Sequence, residues 1–285
     1  NGLVGSEMCI RDSIGRWNAI LRMGTTPALS PDVRPLSNEV LKGLRRSAHQ
    51  QGCKLLTIES HMGSPLDFDA DSVGYSASPR IEFRVDLSGV EEEIWSRISS
   101  HHRRKIRKAE RSGLETMVCD DGESVELLRE LQKGSRDRRV RRGEDMRLGS
   151  DEPILEMMKG ILSSGLGHLY LARKGDEVVS GALITTYRGR SYYVFGGSNP
   201  QGFSLNAPAL LFWDIFRQSK VRGEQEFNIG GVPGDADSPD SQAHGLYRFK
   251  AGFGGTPTPL TDFSANLRPG LSFAVKTVSA LLGRG

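Results

Sequence analysis

Two short segments of the chain carry clustered positive charge that could bind an anionic partner. Residues 101–111 contain six Lys or Arg against one Glu, and residues 129–142 contain seven against two acidic residues. Arginine forks match the oxygens of a diphosphate, and a row of positive charges suits a nucleic-acid backbone. The whole 285-residue chain has a formal net charge of only +3, so the remaining residues are acidic on balance. This distribution favours a local anionic ligand over a generally basic surface.

The side chains that could form these contacts are Arg103, Arg104, Arg107 and Lys108 in the first segment and the Arg136–Arg142 cluster in the second. A solvated helix face is the alternative interpretation of both segments. Few aromatic residues lie near either one, so single-strand stacking on aromatic rings is not expected.

Common catalytic signatures are missing from the sequence. A phosphate-binding GxxxxGK[ST] loop, a GxSxG nucleophile elbow, CxxC pairs and HExxH are all absent. The [R/Q]xxGx[G/A] loop that cradles the pyrophosphate of coenzyme A begins only at Gln242–Gly245, where Tyr247 breaks its last position. These absences exclude P-loop nucleotide hydrolysis and α/β-hydrolase chemistry, and they count against a standard coenzyme A loop.

Cysteine and histidine usage predicts neither a disulfide framework nor a metal site. Three cysteines are too few for a framework and indicate a reducing, cytoplasmic setting. His49, Cys53 and His61 come nearest to a metal set, and they fit ordinary side chains near a helix end better. Because the sequence has no apolar run of 18 residues, no membrane span is predicted.

Apolar periodicity predicts mixed helices and strands in the first part of the chain. Residues 36–51 fit a helix, 54–59 a buried strand, and 80–87 a half-buried strand with strict alternation. A capping box at Ser88 and Glu91 predicts one helix that continues to a stop at Gly113. Further candidates are a strand at 114–119 and helices at 124–140 and 153–163.

The second part of the chain fits an antiparallel meander followed by a helix. Residues 168–173, 178–187 and 191–196 are β-rich and separated by hairpin-type turns. A helix is predicted from the Asn206 cap to Gly223. The remaining candidates are a strand at 226–229, a long polar loop at 230–245, a strand near 259–263 and a tail helix.

Six short segments then occur in a recognisable order over about 175 residues. They are Asp86-Leu87 at a strand end, the basic helix His102–Gly113, the strand Tyr193–Ser198, the helix Pro208–Gly223, the turn Phe227–Gly231, and Gly245–Gly255, which contains Phe-Lys-Ala-Gly-Phe-Gly. Together they resemble the FemAB family, which transfers amino acids onto peptidoglycan precursors and is related to the BioF2-like/CelD-like acetyltransferase group.

This resemblance implies an α/β (α+β) fold made of tandem GNAT-like halves with mixed, partly antiparallel sheets. Residues 1–13 resemble a translated sequencing adaptor and are expected to be a non-native leader. Residues 14–113 would then be a truncated N-terminal half that ends in the basic helix. Residues 114–263 would be the C-terminal half, and 264–285 a helical tail.

The resemblance also implies a catalytic arrangement for acyl transfer to an amine. Lys250 would stabilise the negative charge on the tetrahedral oxygen, and the packing of Phe249 would fix its direction. Asp86 is a candidate base or amine-positioning carboxylate, with helix capping as the alternative. His244 is the other candidate base. Further substrate-binding residues implied are Tyr193, Asn228 and Arg248, although Asn228 stands where the family usually has Asp.

The predicted function is therefore a FemAB-like aminoacyl or acyl transferase that forms an amide on an amine. The expected acceptor is an anionic muropeptide or nucleotide-sugar precursor, and the expected donor is an aminoacyl-tRNA, with no bound cofactor. One alternative is a coenzyme A-dependent N-acyltransferase of the same fold. The other is a nucleic-acid-binding module without enzymatic activity.

Overall fold

The computed structural model describes residues 20–23, 37–60, 68–141 and 151–268. Its helices are α1 (Ser37–Gln50), α2 (Glu91–Arg97), α3 (Ser100–Arg111), α4 (Gly122–Arg141), α5 (Asp151–Ser163), α6 (Pro200–Ser204), α7 (Ala207–Val221) and α8 (His244–Ala251). Its strands are β1 (Ile20–Met23), β2 (Leu55–Ile58), β3 (Ser76–Asp86), β4 (Glu115–Cys119), β5 (Gly167–Lys174), β6 (Glu177–Tyr187), β7 (Arg190–Ser198), β8 (Glu226–Pro233) and β9 (Thr256–Asn266). The predicted mixed α/β class is confirmed. The predicted leader and residues 269–285 of the predicted helical tail lie outside the described residues. The start of that tail is wrong, because β9 continues the predicted strand to Asn266.

The described chain divides into two compact units, with the divisions inside β3 and β9. Unit 2 spans Ile81–Thr258, and the remaining described residues form unit 1. In unit 1, β1 pairs parallel with β2, and β2 pairs antiparallel with β9. Helix α1 contributes Leu41 and Ala48 to an apolar core completed by Leu56, Ile58 and Phe263. The predicted halves 14–113 and 114–263 remain a prediction.

Unit 2 is built on a sheet with the strand order β3-β8-β7-β6-β5-β4. Strands β5 to β7 form the predicted antiparallel meander, because each apolar run is separated from the next by a tight turn. Strand β4 pairs antiparallel with β5, although helices α4 and α5 lie between them in the chain. Helix α7 is buried along most of its length and packs with the odd-numbered side chains of β3 into one apolar core. Phe216, Phe227 and Phe253 lie fully inside this core. Among the described residues, no helix is long and apolar enough to cross a membrane.

The single helix predicted from Ser88 to Gly113 is wrong, because two helices occupy this segment. Ile98 is extended (φ −67°, ψ 132°), and the next residue, Ser99, caps α3 by accepting from the His102 amide. The Ser99 amide itself donates to the Gly252 carbonyl, so a contact distant in sequence fixes the break. The capping box is also displaced, since Ser88 binds Asp86 while Glu93 accepts from the Val90 amide.

The long loop predicted at 230–245 is shorter than expected. Strand β8 continues to Pro233, and α8 begins at His244. The helix α6 was not predicted from the sequence. It is a short helix in which Asn199 caps by accepting from the Gly202 amide.

Candidate active site

Two parallel strands in the middle of the unit 2 sheet stop pairing part-way along their length. Strands β7 and β8 are in register only from Arg190–Glu226 to Tyr192–Asn228. Both strands continue beyond this point, to Ser198 and Pro233 respectively. Backbone groups beyond the last pair are therefore not used in a ladder between these two strands, and they are available to side chains or a ligand.

Lys250 reaches this point of separation from α8. The side chain is buried, with the residue 6% exposed, and Nζ donates to the Gly231 carbonyl at 2.9 Å. The same ammonium lies 6.0 Å from the centre of the Tyr193 ring. Gly230 adopts φ +81°, a conformation that favours glycine, and a Cβ there would make a tight contact of 3.3 Å with Nζ. A buried ammonium is thus presented where the two strands diverge.

A buried carboxylate, Glu82, accepts hydrogen bonds from side chains of β7 and β8 near the point where these strands separate. Glu82 is fully buried, and it accepts from Asn228 Nδ2 at 2.7 Å and from the Tyr192 hydroxyl at 3.2 Å. Asn228 Oδ1 in turn accepts from the Gly230 amide at 2.7 Å, which holds the kink under Lys250. Glu82 was not among the predicted site residues. The alternation of residues 80–87 places it off the core face, but only the fold shows that it is covered.

Asn228 stands where the resemblance led us to expect an Asp. Its hydrogen bonds explain why an amide fits here, because the side chain both donates to Glu82 and accepts from the Gly230 amide. We expect Asn228→Asp to destabilise the protein by about 2–4 kcal/mol at pH 7, because a second buried carboxylate would face Glu82. Stability should recover as the pH falls, since protonation of one carboxylate removes the repulsion. Urea unfolding at several pH values measures this difference.

Asn199→Asp is the matched control for this change. Asn199 also donates to a glutamate, Glu177, and accepts from a glycine amide, Gly202, but its contact with Glu177 is exposed. Solvent should screen the new charge, so less than about 1 kcal/mol should be lost. Equal stability of Asn228→Asp and the unmodified protein at pH 7 would contradict the buried contact with Glu82.

The Phe-Lys-Ala-Gly-Phe-Gly segment docks α8 against α3 and α7. The Phe249 ring lies 5.4 Å from His102 and 5.9 Å from Phe212, and Phe253 is fully buried beside both. A Cβ at Gly252 would stand 2.3 Å from the His102 ring, so only glycine fits there. This packing fixes the axis of α8 and with it the direction of Lys250.

Comparison with known proteins identifies the family of this chain. Residues 96–250, more than half of the chain, match the family described as Acetyltransferase (GNAT) domain. The chain belongs to this family. Within this GNAT domain lie Lys250, the separating strands and the basic helix α3. No curated protein matches the chain at the level of sequence.

Solved structures confirm the FemAB-like fold of the GNAT superfamily. A crystal structure of FemX has a TM-score of 0.63 at 15% identity, covering 91% of this chain and 83% of that one. The C-terminal domain of a putative lysylphosphatidylglycerol synthetase from Agrobacterium fabrum has a TM-score of 0.55 at 18% identity, with 94% and 82% covered. A tandem GNAT protein from the clavulanic acid biosynthesis pathway, solved without AcCoA, has a TM-score of 0.54 at 11% identity, with 88% and 76% covered.

Two cations of α3, Arg104 and Lys105, and one of α8, Arg248, lie near the exposed His101 in the GNAT domain. Lys105, Arg104 and Arg248 all lower the pKa of the exposed His101, Lys105 most strongly, so the three cations lie within electrostatic reach of this side chain. Among the other predicted binding residues of α3, Arg103 is half-buried, Arg107 lies 5.4 Å from the Trp95 ring centre, and Lys108 is exposed. Within the described part of the chain, none of these cations forms an ion pair.

The second basic segment contributes at least one structural residue. Arg138 donates to the Ser198 carbonyl at 2.5 Å and lies 5.2 Å from the Phe203 ring centre. It thereby ties α4 to the end of β7 in the GNAT domain. The side chains of Arg139 and Arg141, and all of Arg142, lie outside the described part of the structure.

The two candidate bases, Asp86 and His244, form their described hydrogen bonds with groups other than Lys250. Asp86 Oδ1 accepts from the Ser88 hydroxyl at 2.6 Å and from its amide at 2.8 Å, and these bonds lower the pKa of Asp86. This geometry favours a local turn role, while a role as base stays a prediction. His244 begins α8, where its Nδ1 lies 3.2 Å from the Ala236 carbonyl.

His102 gives the GNAT domain a defined pH dependence. Burial, and then the charges of Lys105 and His101, lower the pKa of His102 to about 4. A hydrogen bond to the Phe249 backbone raises the pKa of His102 but does not offset these effects. Because an unfolded histidine binds its proton near pH 6.5, the unfolded state binds more protons between pH 6.5 and 4. Stability should therefore fall by up to about 3 kcal/mol as the pH drops through this window.

Urea unfolding of the protein and of His102→Gln from pH 7.5 to pH 4 tests this expectation. The variant should begin less stable, since it loses ring packing, yet it should lose less stability on acidification. Parallel pH profiles of the two proteins would show that His102 is not the group responsible.

Proposed function

We propose that this chain is an acyltransferase that forms an amide on an amine acceptor, with an aminoacyl-tRNA as donor and an anionic cell-wall precursor as acceptor. The observation that carries the proposal is the buried Lys250 ammonium, held at the point where β7 and β8 separate inside a GNAT domain. The FemAB resemblance of the sequence and the fold likeness to FemX support the aminoacyl branch of this chemistry.

The reaction requires stabilisation of one developing charge. The amine nitrogen forms a bond to the acyl carbon, and the carbonyl oxygen becomes negative in the tetrahedral intermediate. When the intermediate collapses, the ester C–O bond to the tRNA ribose breaks, and the proton lost by the amine is taken up by the leaving oxygen. A fixed ammonium in a site with little water stabilises the oxygen charge strongly, because it needs no reorganisation during the reaction.

The surface cations on α3 and α8 are assigned to the anionic part of a substrate. Arg104, Lys105 and Arg248 form a cluster with His101, and in the described structure no carboxylate pairs with these three cations. Unpaired cations close to one another repel, so an anionic ligand such as a diphosphate relieves an unfavourable interaction. Phosphate groups occur in both expected substrates, the nucleotide-linked precursor and the tRNA.

A second candidate is an acyl-CoA-dependent N-acyltransferase, in which a thioester C–S bond breaks and the thiol leaves. The matched family is described as an acetyltransferase domain, and AcCoA is named in the description of the tandem GNAT neighbour. Against it stands the missing pyrophosphate loop, in which Tyr247 occupies the last position.

Paired assays separate the two donors. The full chain is incubated with a radiolabelled amino acid on tRNA or with radiolabelled acetyl-CoA, and amide formation is followed on a nucleotide-linked muropeptide. Transfer from tRNA alone supports the proposal, and transfer from acetyl-CoA alone favours the second candidate. If the chain transfers from neither donor but binds duplex nucleic acid with a steep salt dependence unchanged by Lys250→Ala, the binding-module alternative takes its place.

A further inference from the structure

A cavity of about 310 Å³ opens on the polar face of the unit 2 sheet. It is lined by Arg84, Asp86, Gln225, Glu226, Thr256 and Thr258. Side chains alternate along a strand, and Phe83, Val85 and Phe227 point into the apolar core. Arg84, Asp86 and Glu226 therefore project from the opposite face. The cavity is at the small end of the range for ligand sites, which suits a compact molecule.

Two side chains of opposite charge that line this cavity each contain a buried polar atom without a hydrogen-bond partner. Arg84 Nε and Glu226 Oε1 are both inaccessible to solvent and have no hydrogen-bond partner among the described residues. Glu226 Oε1 lies 3.9 Å from Arg190 Nε, which is an ion-pair distance too long for a hydrogen bond, and the Arg190 side chain is 58% exposed. Buried polar groups in proteins are nearly always hydrogen-bonded, so two such atoms in side chains that line one cavity point to a bound ligand that completes their hydrogen bonding.

The charges in the cavity define the chemistry of that ligand. The guanidinium of Arg84 is a planar fork that matches a carboxylate. Glu226 and Asp86 accept from an ammonium group, and the hydroxyls of Thr256 and Thr258 can donate or accept. A simple anion would be repelled by the two carboxylates, and a simple cation would be repelled by Arg84.

We propose that this cavity binds a small zwitterion, an amino carboxylate, with its carboxylate on Arg84 and its ammonium group between Asp86 and Glu226. The site adjoins the Glu82–Asn228 pair that supports the kink under Lys250. Arg84 follows Glu82 by two residues on β3, and Glu226 precedes Asn228 by two residues on β8. Two residues of a strand span about 7 Å. The proposal concerns binding alone and does not rest on the acyl-transfer reaction.

Ligand binding by the full chain tests the proposal with three chemically matched probes. L-Alanine carries both charges, propionate only the carboxylate and n-propylamine only the ammonium group. Binding is measured by titration with NMR detection, which reads millimolar affinities. We expect alanine to bind at least about tenfold more tightly than either single-charge probe, because each charge-assisted hydrogen bond adds to the affinity.

Two charge-neutralising variants assign the two ends of the ligand. Arg84→Gln should weaken alanine and propionate binding by about tenfold and leave propylamine unchanged or tighter. Glu226→Gln should weaken alanine and propylamine binding and leave propionate unchanged or tighter. Arg46→Gln is the control, because Arg46 is an exposed arginine of α1 in unit 1 that does not line the cavity.

Three results would overturn the proposal, provided that circular dichroism shows folded proteins. The first is the absence of saturable binding of both L-alanine and the longer zwitterion β-alanine. The second is an equal loss of affinity in Arg46→Gln. The third is a stability loss in the ligand-free double variant Arg84→Gln/Glu226→Gln that is smaller than the sum of the losses in the two single variants, together with no ligand binding. That result would identify an internal ion pair between Arg84 and Glu226. Because these are equilibrium measurements, a chain inactive in amide formation gives the same answers.

Discussion

Replacement of Lys250 by Met is expected to lower kcat/KM for amide formation by about 100- to 1,000-fold, the loss seen when an oxyanion-stabilising donor is removed. The Lys250 ammonium is buried and fixed by the Gly231 carbonyl. In the proposed reaction, water would therefore screen its charge only weakly from the reacting oxygen. Lys250→Arg keeps the charge but changes its shape and hydrogen-bonding pattern. We expect it to recover only part of the rate, because the wider guanidinium does not fit above Gly230.

Lys220→Met is the matched control for Lys250→Met. Lys220 is a half-buried lysine at the end of α7 that also donates to a backbone carbonyl, that of Gly89. Its loss should lower stability by about 1 kcal/mol and leave kcat/KM unchanged. Rates are measured in single-turnover experiments with the donor that is active in the paired assays. If Lys250→Met retains the kcat/KM of the unmodified protein, charge stabilisation by Lys250 is excluded.

The second large effect is on stability and concerns Gly254. Gly254 adopts φ +76°, and a Cβ there would stand 2.6 Å from the Arg97 carbonyl oxygen and 2.8 Å from its carbon. Gly254→Ala should therefore lower the free energy of unfolding by about 3 kcal/mol, from left-handed strain and a backbone clash together. Because Gly254 helps to dock α8 on α2, we also expect lower activity in the folded fraction.

Gly245→Ala lies in the same segment and should have the opposite effect. Gly245 is in α8, and a Cβ there meets nothing within 4 Å. Alanine should stabilise the helix by about 0.5–1 kcal/mol, since it loses less backbone entropy on folding. Urea unfolding of both variants measures the difference. Similar stabilities would show that the contact with Arg97 does not restrict this turn.

Much of the fold could be predicted because it rests on local patterns. The period-2 alternation in residues 80–87 and the hairpin turns of the meander correspond to β3 and to β5 through β7. The order of short motifs indicated the GNAT relationship, and it did so without any knowledge of which residues touch. The break at Ile98 could not be predicted, because the segment continues the helical spacing and the contact that ends α2 comes from Gly252.

Of the candidate site, the sequence determined the chemical types: a lysine after a phenylalanine, clustered cations on one helix, and polar side chains alternating along a strand. Only the tertiary structure decided which of these groups are buried from solvent and which have hydrogen-bond or ion-pair partners. Glu82 and Asp86 are equivalent in the alternation of β3, yet Glu82 is fully buried under Asn228 and Tyr192 while Asp86 is exposed and bonded to Ser88. The physical reason is that alternation fixes only the face to which a side chain points, whereas its burial depends on strands and helices brought over that face from distant parts of the chain.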